Sequence, residues 1–78
     1  MDKFTTEYKG RKTDKYSGVG FNHGGTTFMV DGLEDGRVMI TEINFKMILI
    51  GEDIDEVHDE IIKRWDSNLD NNLDKLSN

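Results

Sequence analysis

From Asp53 onward the apolar positions fall on a helical period. Ile54, Val57, Ile61 and Trp65 are spaced by three, four and four residues, and His58, Ile62 and Leu69 widen the same stripe. Asp53 stands where an N-cap belongs, and Glu56 three residues on makes a capping-box-like pair with Asp in place of Ser or Thr. Carboxylates in the first turn also suit the positive end of the helix dipole. The pattern predicts an amphipathic helix over residues 53–76, with its stop either near Ser67 or near Leu76.

Upstream of it the period is two. In TTFMVDGLEDGRVMITEINFKMILIG, residues 26–51, Phe28 and Val30 alternate with Thr27 and Met29, and Val38 and Ile40 alternate with Met39 and Thr41. Between them GLEDG supplies turn residues, and Asp35-Gly36 is the strongest hairpin signal in the chain. The run from Phe45 to Ile50 reads as a third strand, or as the second continued through a kink. Ile48, Leu49 and Ile50 in succession predict burial on both faces, by the helix on one side and a partner chain on the other.

The first 25 residues are patterned more weakly. Phe4, Thr6 and Tyr8 are evenly spaced, which predicts a short edge strand with lysines that discourage edge-to-edge pairing. The glycine-rich SGVGFNHGG reads as a loop or bulged connection. With no repeat and no linker, residues 1–78 form a single α+β domain. Its expected architecture is a small antiparallel sheet of two to four strands with one C-terminal amphipathic helix packed on it. So narrow a sheet leaves a face and an edge uncovered, and a homodimer sharing the sheet is expected.

Size and charge sharpen this picture. A chain of this length buries only about 60% of the surface its unfolded form exposes, so dimerisation is a common remedy for marginal stability. There is no cysteine, hence no disulfide and no thiolate metal site. No apolar run approaches the ~20 residues that span a bilayer, and MDKFTTEYKGRK lacks a signal-sequence core, so a soluble cytoplasmic protein is expected. Sixteen acidic and ten basic residues give a net charge of −6. Residues 1–16 carry +2, residues 17–51 carry −2 and residues 52–78 carry −6, so the negative charge is concentrated in the last third. Such an end repels nucleic acid and anionic membranes and attracts basic surfaces.

Several chemistries can be weighed. In DSNLDNNLDKLS, oxygen-bearing side chains at Asp66, Asn68, Asp70, Asn72 and Asp74 approach the spacing of a calcium loop. Asn71 stands where that loop needs glycine, however, and Ser77 where it needs a bidentate glutamate. Leu69, Leu73 and Leu76 instead continue the helical stripe, and Glu52, Glu56, Asp59, Asp66, Asp70 and Asp74 share one sector of the helical wheel. The end of an acidic helix fits more of these residues, and no metal is expected. Gly18, Gly20, Gly24 and Gly25 miss the dinucleotide fingerprint by one position, and no helix follows them to hold a phosphate. His23 and His58 have no zinc-type spacing. No serine has a nucleophile context, and so small a core can hardly enclose a pocket, so neither catalysis nor a cofactor is expected. Lys3, Lys9, Arg11, Lys12 and Lys15, interleaved with aromatics, make a weak nucleic-acid footprint in an acidic chain.

The acidic face is what remains. In size, charge character and stretches such as EDIDEVHDE and WDSNLDNNLD, the chain resembles small acidic bacteriophage host-takeover proteins, including DNA mimics that block the nucleoid protein HU. The basic N-terminal segment departs from a uniformly acidic mimic. The resemblance implies a non-enzymatic inhibitor that occupies the basic DNA-binding surface of a host protein. Glu52, Asp55, Glu56, Asp59, Glu60, Asp66 and Asp70 are its expected contacts. The competing expectation is an assembly protein that works through its sheet edge and apolar strand faces, Phe45, Met47 and Leu49 among them.

Overall fold

The computed structural model describes residues 3–77, with side chains through Leu69. The described residues form a five-stranded antiparallel sheet and one helix: β1 (Lys12–Thr13), β2 (Gly20–His23), β3 (Thr26–Leu33), β4 (Val38–Glu42), β5 (Ile48–Gly51) and α1 (Ile54–Ser77). The chain is thus α+β, with the helix last. β3, β4 and β5 form a meander, with Val30 opposite Ile40 and Ile40 opposite Leu49. On the other edge of β3, β1 and β2 lie end to end, interrupted by residues 14–19, which leave the edge and return to it.

From Gly20 on, the glycine-rich stretch is therefore a strand and a tight turn, not a loop. Gly20–His23 pairs with Thr26–Met29, and Gly24-Gly25 forms a two-residue turn with both φ values positive, at 57° and 78°. A hairpin turn of that twist demands such values, and glycine takes them without strain. Gly24 has a second reason to lack a side chain: a Cβ there would stand 2.7 Å from the indole Nε1 of Trp65.

Residues that face one way along the strands meet the helix. Phe28, Val30, Val38, Ile40 and Leu49 are buried against Val57, Ile61 and Trp65, as the two periods predict. Trp65 meets the Phe28 ring edge-on with centroids 5.5 Å apart. Ile61 is fully buried, and enclosing such a side chain contributes about 1.5–3 kcal/mol. Asp53 caps the helix as predicted, its Oδ2 accepting the Glu56 N–H at 3.2 Å.

The opposite face carries a smaller cluster of Leu33, Met39 and Ile50, with Tyr8 and Ile48 packed against it. Ile50 is thus covered on that face by the N-terminal segment of its own chain, where a partner chain was expected. That segment is not the predicted edge strand either. Thr5 makes an isolated bridge, exchanging hydrogen bonds of 2.9 and 2.8 Å with Ile50. The Thr5 hydroxyl then accepts the Glu7 N–H at 3.5 Å, and the chain bends there. Phe4 and Tyr8 consequently pack on opposite faces despite their even spacing. Residues 6–11 cross the second face as a strap, from the β5 edge to β1.

Candidate functional site: the acidic helix

The helix carries its carboxylates on two flanks, and the fold treats them differently. On the flank toward β5, Glu56 receives the Lys3 ammonium at 3.2 Å, and Glu60 receives the Arg64 guanidinium at 2.7 Å. Those acids are matched by cations of the same chain. The other flank holds Asp55, Asp59 and Asp66, separated by four and seven residues. The Asp59 side chain is 85% exposed and that of Asp66 53%. Asp55 is exposed and has no ion pair among the described residues. Glu52 is exposed just ahead of the helix. Lys63 lies between the flanks and dilutes them.

Both histidines orient this second flank. His23 Nε2 lies 2.8 Å from Asp66 Oδ1, tying the β2–β3 turn to a residue 43 positions on. His58 Nδ1 lies 3.3 Å from Asp59 Oδ1, and its ring packs on Phe21 with centroids 4.6 Å apart. The partner of His23 was not legible in the sequence, because nothing local reports so distant a contact.

Of the seven residues expected at the site, Asp55, Asp59 and Asp66 therefore form one open row. Glu56 and Glu60 stand apart in internal ion pairs, and Glu52 precedes the helix. Asp70 is helical in its backbone, but its side chain lies outside the described ones. α1 continues to Ser77, so the backbone that carries the calcium-like spacing is helical and not looped. Among the described residues, no group of His, Cys, Asp and Glu could hold a metal ion.

A different carboxylate was missed. Glu42 is only 1% exposed at the end of β4. Its Oε1 accepts the backbone N–H groups of Asn44 at 2.9 Å and Lys46 at 3.2 Å. Its Oε2 accepts the Thr26 hydroxyl at 2.5 Å and the Asn44 amide at 3.2 Å. The Thr26 bond first, and the backbone bonds after it, hold the carboxyl below the ordinary glutamate range despite the opposing effect of burial. The sequence did contain a signal, since Glu42 is in phase with the inward-facing Val38 and Ile40. The turn so fixed displays Ile43 and Phe45, 47% and 70% exposed, with Phe45 at φ 61°.

No protein-family model, curated protein or solved structure matches this chain. Among the described residues, no helix is long and apolar enough to cross a membrane.

Proposed function

We propose that the chain is a non-enzymatic binding module whose α1 helix offers carboxylates to the basic surface of another protein, in place of a nucleic-acid backbone. The observation that carries this is the row Asp55, Asp59, Asp66. At a rise of 1.5 Å per residue, its steps advance about 6 and 10 Å along the helix. Phosphates of one DNA strand advance 3.4 Å each, so two and three of them advance about 7 and 10 Å. Asp70, four residues beyond Asp66, continues the series in sequence. The row is also rigidly mounted: Val57, Ile61 and Trp65 lock the opposite side of the helix to the sheet. Carboxylates held in place lose little side-chain freedom on binding, and charge of one sign on one flank steers a basic partner. A DNA-binding protein of a bacterial host, HU-like in character, fits that chemistry.

The test is a titration of purified HU with the chain and with a triple variant, Asp55→Lys, Asp59→Lys and Asp66→Lys. Wild type should bind, weaken steeply with added salt and be displaced by duplex DNA, and the triple variant should not bind. A control variant, Glu56→Lys and Glu60→Lys, changes the flank already paired internally and should retain most of the affinity. Equal loss in both variants would reduce the row to bulk charge. Undiminished binding by the triple variant, or none by wild type, would remove the reading.

A further inference from the structure

We propose that copies of this chain associate head to tail, the Phe45 side chain of one seating in the cleft between β2 and the start of α1 of the next. The projecting part is unusual in two respects. Phe45 is 70% exposed, and its φ of 61° lies in a region that a bulky side chain rarely adopts. A loose loop would relax out of that conformation. Here the buried Glu42 carboxylate holds the N–H groups on either side of Phe45, those of Asn44 and Lys46, and the Phe45 N–H donates to the Glu42 carbonyl at 2.7 Å. The ring is therefore presented in a fixed direction, with Ile43 beside it, and has little order left to gain on docking.

The receiving part lies elsewhere on the molecule. Val19, Phe21 and Ile54 wall a cleft of about 280 Å³, Val30 and Ile40 line its depth, and Asp55 stands at its margin. An apolar cavity of about 150 Å³ holds a benzene, so this cleft has room for a phenyl ring. Val19 is 47% exposed, which leaves apolar surface at the cleft open to a partner. Strand β5 runs between the Phe45 turn and the start of the helix, so a chain does not reach its own cleft with its own ring. The charges match as well. Lys46 follows Phe45, and its ammonium would approach Asp55 of the receiving copy. A contact between two different surfaces leaves each pair with one free ring and one free cleft, so growth continues until a ring of subunits closes or a filament forms.

Sedimentation velocity over a wide concentration range tests this on three full-length proteins. Wild type should shift to larger species as concentration rises. Phe45→Gly, which lacks the ring, and Val19→Asp, which charges the cleft, should each remain monomeric. An equimolar mixture of the two variants should form a heterodimer and nothing larger, since one supplies the only intact ring and the other the only intact cleft. Thermal unfolding keeps the result interpretable. Glycine takes the backbone of position 45 without strain, so Phe45→Gly should unfold no earlier than wild type. A monomeric wild type, a Phe45→Gly protein that associates as wild type does, or a mixture that stays monomeric would overturn the proposal. The variants leave Asp55, Asp59 and Asp66 in place, so monomeric Phe45→Gly and Val19→Asp should still bind HU, with Asp55 freed from the Lys46 of a neighbouring copy.

Discussion

The β3–β4 and β4–β5 turns solve the same backbone problem with different residues. In each, the residue three beyond the end of the strand takes positive φ and donates its N–H back to that strand end. Gly36, at 92°, donates to Leu33 at 2.9 Å; Phe45, at 61°, donates to Glu42 at 2.7 Å. In the first turn the backbone needs no help, and Asp35 only adds to it by accepting the Arg37 N–H at 3.0 Å and its guanidinium at 2.7 Å. In the second, a bulky residue occupies the glycine position, and a buried carboxylate with four hydrogen bonds holds the loop around it. The second turn thus holds an exposed aromatic ring in a fixed conformation by means of a buried carboxylate.

The largest effect is expected at Glu42, because everything that distinguishes the second turn converges there. Glu42→Leu leaves the Asn44 and Lys46 N–H groups and the Thr26 hydroxyl without their acceptor, and Phe45 without its restraint. The β4–β5 hairpin should open, seen as an early thermal transition and as loss of hydrogen-exchange protection at the amides of residues 42 and 45, which donate to the Met47 and residue-42 carbonyls. If those amides stay protected, Phe45 is held by something else.

Glycine substitutions separate backbone strain from crowding. Gly24→Ala meets both, since its φ is 57° and the new Cβ would press on Trp65. A left-handed residue costs about 1–2 kcal/mol and overpacking about 1–3 more, so a loss of roughly 2–5 kcal/mol in urea unfolding is expected. Gly36→Phe places the second turn's residue in the first. Nothing lies within 4 Å of the added Cβ, so the cost should be the backbone part alone, about 1–2 kcal/mol. Phe45→Gly runs the exchange in reverse. Relief of that strain, less the ~0.5–1 kcal/mol that glycine loses in chain entropy, should raise stability by about 0.5 kcal/mol. A clear loss there would mean that the ring is packed against its own chain.

These turns also show what a sequence can reveal. Asp35-Gly36 was legible because glycine at positive φ is a local signal. Gly24-Gly25 carried the same signal, but the neighbouring glycines made GVGFNHGG read as loop. Its Phe21 and His23 are held by Phe28, His58 and Asp66, contacts made across the fold. The turn at Phe45 had no such marker, since Glu42 does by a long side chain what glycine does by lacking one. The helix was legible because its period, cap and carboxylate-rich first turn lie within one segment. Its division into a flank matched by Lys3 and Arg64 and a flank oriented by the two histidines was not, because Lys3 and His23 arrive from distant parts of the chain.

Acid titration should give the smallest effect and the sharpest contrast between the two carboxylates. Asp35 is held below its ordinary value of 3.8 by the Arg37 backbone N–H first, and by the guanidinium as well. Glu42 is held below 4.5, chiefly by Thr26. A carboxyl whose folded value is depressed adds stability that is fully present above its unfolded value and is lost as pH falls through the folded one. Urea midpoints should therefore be insensitive to these two groups at neutral pH and fall below about pH 4.5 as they protonate. Asp35→Asn should barely alter that fall, because 41% of the Asp35 side chain is exposed and solvent screens its pair with Arg37. Glu42→Gln should flatten it, since glutamine cannot protonate and the carboxylate it replaces is enclosed. Equal flattening by both would mean that the two turns draw alike on their acids, and that the buried charge at Glu42 does no more than the exposed one at Asp35.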